Sequence, residues 1–123
     1  MATYFGFALA DSMFDGDFNI ERRTLGVEEA KKLVEQGVTS CLNPSHAATI
    51  DAMRSRFGIN VLIPKTPPQV SVQSGDIIIV MGVRGLPRLT DRHEYTEDEI
   101  AKADFAFTKY TAYRPEEWWF EEE

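Results

Sequence analysis

The sequence has one cysteine, two histidines and few cations for its length of 123 residues. A single cysteine, Cys41, excludes an intrachain disulfide framework and a cysteine-built zinc site. His46 and His93 stand far apart, without metal-ligand spacing. No apolar run approaches the roughly 18 residues that a membrane span needs. No basic segment followed by an apolar stretch and a small-residue cleavage site opens the chain, so it does not read as a secretory signal. A cytoplasmic protein, with no membrane partner, is the simplest expectation. Walker-type and dinucleotide-type glycine loops are both missing, since Gly82-Val83-Arg84-Gly85 lacks the fingerprint spacing.

Basic charge is also scarce: 13 Lys and Arg stand against 20 Asp and Glu, a net charge of −7. That balance argues against a duplex nucleic-acid partner, which calls for a basic footprint. The charge is unevenly placed. Arg114 to Glu123 holds one Arg and five Glu. Arg54 to Arg92 holds six basic residues and two acidic ones. A small anion suits such a stretch better than a polymer does.

What is present is a core. At 43% hydrophobic residues the chain can bury enough surface for one domain and is too short for two ordinary ones. Thr3 to Leu9 reads as a buried strand, and Phe18 to Arg23 as a second short extended piece. Val27 to Gln36 carries a helical apolar stripe through Val27, Ala30, Leu33 and Val34, and Gly37 stops it. Val38 to Leu42 is extended. Asn43 and Pro44 form a favoured N-cap and N1 pair for a helix running to Phe57, with His46 at the third helical position and Gly58 as the stop. Ile59 to Ile63 and Val70 to Val72 are read as extended, with a proline-rich loop from Pro64 to Gln69 between them. Ile77 to Met81 is a continuous β-branched run, the best central strand. Gly82 to Glu94 reads as irregular. Thr96 and Glu99 fit a capping box for a helix over Glu97 to Ala103. Phe105, Phe107 and Lys109 to Thr111 close the sheet. The expectation is an α/β (α+β) fold: one domain over residues 1–113, a mixed sheet of about five strands flanked by three short helices. Residues 114–123 form an acidic tail with Trp118, Trp119 and Phe120.

Two constellations can carry chemistry. Asn43-Pro44-Ser45-His46-Ala47-Ala48-Thr49 places a histidine in the first turn of a helix, where free N–H groups and the dipole favour phosphate. Such a histidine can exchange a proton with a phosphate ester near neutral pH. The plain alternative is that Asn43 and Ser45 only cap the helix and His46 is a surface residue. The second constellation is Arg84, Arg88, Asp91 and Arg92, on a loop after the central strand. Arginine forks match phosphate oxygens there, and the alternative is a solvated loop.

These residues resemble a small family found in archaeal viruses, phages and bacteria, some members of which are viral ring nucleases that inhibit type III CRISPR immunity. The resemblance covers roughly Thr3 to Tyr113. It rests on Ala8-Leu9-Ala10-Asp11-Ser12-Met13 after the first strand, and on Ser45-His46-Ala47-Ala48-Thr49 at a helix start. It continues through Phe57-Gly58, through Gly75-Asp76 before the strand Ile77 to Met81, and through Arg88-Leu89-Thr90-Asp91. It implies a homodimer with a ligand cleft, no cofactor and no metal, and cleavage of a cyclic oligoadenylate such as cyclic tetra-adenylate. A substrate ribose 2′-hydroxyl attacks the adjacent phosphate in that chemistry. By the resemblance His46 is the general acid, Arg88 holds the phosphate and Asp91 supports the site. Ser12, Ser45, Thr49, Lys65 and Arg84 fall at ligand-binding positions. The departures are Pro44-Ser45 in place of glycine before His46, Asp91 for glutamate, Lys65 for arginine and Ser12 for asparagine. Arg84 is a rival to Arg88 for the phosphate. Two other functions remain open: a binding module that sequesters a cyclic nucleotide without cutting it, and an adaptor that docks through the aromatic tail.

Overall fold

Alternation of apolar side chains along strands buried on both faces builds the sheet. The computed structural model describes residues 2–66, 68–86 and 95–115. Its strands are β1 (Thr3–Gly6), β2 (Asn19–Leu25), β3 (Thr39–Ser40), β4 (Ile77–Arg84) and β5 (Asp104–Tyr113). Its helices are α1 (Val27–Gln36), α2 (Ala47–Phe57) and α3 (Glu97–Lys102). The five strands form one mixed sheet in the order β2-β5-β4-β1-β3. β4 is central, as its composition predicts. It pairs parallel with β1 on one side, from Thr3↔Ile77 to Gly6↔Val80, and antiparallel with β5 on the other, from Ile77↔Thr111 to Arg84↔Asp104.

The two faces of the sheet are covered differently. Phe5, Leu25, Ile79, Met81 and Phe107 point to a core completed by Ala30 of α1 and by Ile50 and Met53 of α2. Ile78 and Ala112 face the other way, where Met13 and Val72 cover them together with Tyr4, Val80 and Tyr110. One face therefore carries helices and the other irregular chain.

Two parts of the sequence reading are corrected. Ile59 to Ile63 and Val70 to Val72 are not strands. Ile59, Val61 and Val72 are buried as an extended segment would bury them. Val72, however, lies over the face of the sheet and donates its N–H to the Met13 carbonyl at 2.9 Å, which joins two pieces of the cover. A segment packed on a sheet face cannot also pair in its plane. Other boundaries also move. β1 ends at Gly6, before Phe7, and β3 shrinks to two residues. β4 runs on through Gly82 to Arg84, and β2 and β5 are longer than their apolar content suggests, because pairing between them extends over Asn19↔Tyr113 to Leu25↔Phe107.

The helix signals read well. Thr96 Oγ1 accepts from the Glu99 N–H at 3.2 Å while Glu99 Oε1 accepts from the Thr96 N–H at 2.9 Å, the reciprocal box. Gly58 closes α2 in the left-handed region, at φ 70°, where a side chain is disfavoured.

Among the described residues Asp76 is the acidic or basic side chain that is buried, 3% exposed. Its Oδ1 accepts from the Ala2 N–H and its Oδ2 from the Gln73 N–H, both at 2.8 Å. It thereby fixes the entry to β1 and the turn before β4. Removing it strands two donors. Asp76→Ala is expected to lower unfolding free energy by about 1–3 kcal/mol. Urea midpoints check this, and a loss below about 0.5 kcal/mol, the usual surface value, would show that water replaces the carboxylate.

Candidate functional site

Gly6 ends β1 because Phe7 turns out of the sheet, and the crevice opens there. Parallel strands β3 and β4 flank β1 on its two sides. Ligands of open sheets collect outside the carboxyl ends of such strands. A cavity of about 720 Å³ sits at this position, lined by Gly6, Phe7 and Ala8 after β1, by Cys41 and Asn43 after β3, and by His46. Its remaining wall comes from Ala10, Ser12, Met13 and Asp15, and from Pro68 to Ser71. A smaller cavity of about 290 Å³ adjoins it, lined by Phe7, His46, Thr49 and Met81 to Val83 of β4. Phe7 and His46 are the residues shared by both.

The local chain fixes His46 from two directions. Asn43 Oδ1 accepts from the Ser45 N–H at 2.9 Å, and the Asn43 carbonyl accepts from the His46 N–H at 2.9 Å. Pro44 starts a 3-10 turn over Pro44–His46, with Asn43 as its cap. The predicted cap is present, but it caps this tight turn. α2 begins one residue later, and His46 is its N-cap residue rather than its third position. The imidazole meets the Phe7 ring edge-on, with centroids 4.9 Å apart and planes at 77°. Aromatic packing of this kind restricts the ring's orientation.

The residues that the sequence singled out divide into three groups. Ser12 and His46 come together on the larger cavity, and His46 and Thr49 on the smaller. Ser45, Lys65 and Arg84 are exposed and line neither cavity. Arg88, Asp91, Arg92 and His93 lie outside the described residues, as do Trp118, Trp119 and Phe120. Asp15, Gln69 and Ser71 join the wall without having been anticipated. They sit in irregular segments whose return to β1 depends on packing over the sheet face, and no local pattern announces it.

The described lining of the larger cavity holds the Asp15 carboxylate and no Lys or Arg. Arg54 and Arg56, at the start of the basic stretch seen in the sequence, are used elsewhere. Arg54 pairs with Asp51 at 3.0 Å. Arg56 donates to the Ile100 and Ala103 carbonyls and lies against Phe57 and Phe105. It thus ties α2 to α3. Among the described residues, no group of three His, Cys, Asp or Glu converges as a metal site, and no helix is long and apolar enough to cross a membrane.

The sheet order, the single helix layer and the crevice at one end of the parallel strands define a class, a small α+β domain with a ligand-sized pocket. Within it the chain belongs to the STIV B116-like family, whose model matches residues 6–107. Its structure is similar to that of B116 of Sulfolobus turreted icosahedral virus (STIV), with a TM-score of 0.62 and 16% identity over 90% of this chain and 99% of that one. At that identity the likeness is one of fold. No curated protein matches the sequence.

Cys41 is half-buried in the cavity wall, and burial raises its thiol pKa. The thiolate fraction at neutral pH is therefore lower than in a free peptide. Iodoacetamide is expected to alkylate Cys41 slowly at pH 7.5, with a rate that inflects at a higher pH than a model cysteine peptide. An inflection at or below the peptide's would contradict this environment.

Proposed function

We propose that this protein is a metal-independent ring nuclease that opens a cyclic oligoadenylate, with His46 as general acid. The observation that carries the reading is the position of His46, held by Phe7 and the Asn43 cap on the crevice at the end of β1, with Ser12 on the same wall. Membership of the STIV B116-like family is compatible with it. Opening such a ring removes the second messenger of type III CRISPR signalling.

The chemistry asks little of the protein. The substrate's own 2′-hydroxyl attacks the neighbouring phosphorus, and its proton passes to solvent. The P–O5′ bond breaks and His46 gives its proton to the departing oxygen. The product is linear, with a 2′,3′-cyclic phosphate at one end and a 5′-hydroxyl at the other. The enzyme aligns the hydroxyl, protonates the leaving group and stabilises charge. Arg88 is assigned the phosphate charge and Asp91 its support. Ser12 and Thr49 contact the ligand from the two cavities. A pocket of roughly 300–1,000 Å³ accommodates a drug-sized ligand, and a cyclic tetranucleotide is larger than that. A second copy of the chain is therefore assigned the rest of the enclosure.

Incubation of the protein with cyclic tetra-adenylate in EDTA is expected to yield shorter linear products with cyclic-phosphate ends. His46→Ala is expected to slow this by about 10²–10⁴-fold, the usual contribution of one general acid. Chromatography of the products against time reads both. Tight binding by calorimetry with an intact ring would make the protein a sequestering module and overturn the nuclease reading. Activity unchanged in His46→Ala would remove the histidine from the mechanism.

A further inference from the structure

Part of the wall of the larger cavity is made from a segment with little regular structure of its own. Ser12, Met13 and Asp15 contribute to it. A single 3-10 turn, Asp11–Met13, is its regular element. An arginine nearly 100 positions away in sequence holds the end of this segment. Arg114 follows β5, and its backbone N–H donates to Ser74 Oγ at 3.1 Å. Its Nη1 donates to the Asp15 carbonyl at 2.5 Å and to the Asp17 carbonyl at 3.4 Å. Its guanidinium carbon lies 4.2 Å from the centre of the Phe18 ring. Phe18 in turn meets Phe14 edge-on at 5.4 Å, and both pack against the cluster that buries Met13.

Gly16 lies beneath the same contact. It sits at φ +81°, and a Cβ there would come within 2.9 Å of Arg114 Nη1. A side chain at position 16 would strain the backbone at this positive φ and displace the movable end of Arg114. Arginine also suits the task in a way lysine does not. Its planar fork donates to carbonyls in its own plane while its face covers an aromatic ring.

We propose that Arg114 is a positioning residue of the larger cavity. It fixes the turn at Asp15 to Phe18, which places Ser12, Met13 and Asp15 in the wall, and so sets the cavity's affinity for its ligand. The effect on affinity rests on the nuclease reading above, whereas the restraint on the wall does not.

Amide hydrogen exchange and kinetics on the full chain separate these points. Three amides report on the wall: Met13 and Phe14, which donate to the Ala10 and Asp11 carbonyls, and Val72, which donates to the Met13 carbonyl. In Arg114→Ala these are expected to exchange roughly tenfold faster, the scale of one or two lost hydrogen bonds, with the amides of β4 and β5 unchanged. Arg114→Lys is expected to fall between, and Gly16→Ala to reproduce the effect with Arg114 present. With cyclic tetra-adenylate, KM is expected to rise in Arg114→Ala by a similar factor while kcat holds, because the chemical groups are untouched. Unchanged exchange at the three amides, or equal acceleration throughout the sheet, would overturn the proposal. Faster local exchange with an unaltered KM would overturn the link to affinity. A wild-type protein that neither binds nor cuts the ring defeats the nuclease reading, and the exchange data then decide the role of Arg114 alone.

Discussion

The double-sided burial of β4 is the constraint on which the rest of the molecule depends. Ile78 lies under the irregular cover while Ile79 and Met81 lie under the helices. A slip of one residue would exchange these faces, so the register is held from both sides. β1 inherits that register through four consecutive parallel pairs. Its last paired residue is Gly6, opposite Val80. The point where the chain leaves the sheet is thus set by the packing of β4. Phe7 is the first side chain beyond that point, and it is the one that touches His46. The geometry of the crevice is therefore decided by core packing well below it.

Charge requires a distinction between neighbourhood in sequence and neighbourhood in space. Residues 54–92 are net positive, which by itself suggests a basic pocket. In the fold the described cations among them line neither cavity. Arg54 faces its own helix partner, and Arg56 satisfies carbonyls at the end of α3. Lys65 and Arg84 stand exposed away from both cavities. Local net charge limits the size of an anionic partner more than it locates one. The overall excess of acid still disfavours a long polyanion, since 13 cations stand against 20 carboxylates that repel phosphate.

Legibility followed the range of the interactions. The three helices are determined by contacts within three or four residues, and their stripes, caps and glycine stops could be read directly. β4 was visible because a strand buried on both faces has no polar side to hide it. His46 was found through Asn43 and Pro44, although its place in the helix shifted. A proline after an Asx cap supports a 3-10 turn as readily as an α-turn, and the sequence does not distinguish the two. Ile59 to Ile63 and Val70 to Val72 misled because burial and β-branching mark any extended buried segment, paired or not. Asp15, Gln69 and Ser71 could not have been placed in the wall by pattern. Each reaches the crevice only because Met13 and Val72 share one buried cluster, a contact between segments nearly 60 residues apart.

The same cluster bears on how an exposed histidine can act on a phosphodiester. His46 is open to solvent in one copy of the chain. Proton donation to a leaving oxygen gains little when water competes for both partners, so the ring has to be enclosed when it reacts. Phe7 already packs on the imidazole and backbone hydrogen bonds hold its residue, so enclosure need not reorganise it; on the proposed reading the turn clasped by Arg114 is a wall already in place and the surface of a second copy supplies the rest. The division of labour is then between a preorganised acid with its pre-set wall and a second copy that completes the enclosure. Both parts are held across the sequence, the imidazole by Phe7 and the Asp15 to Phe18 turn by Arg114.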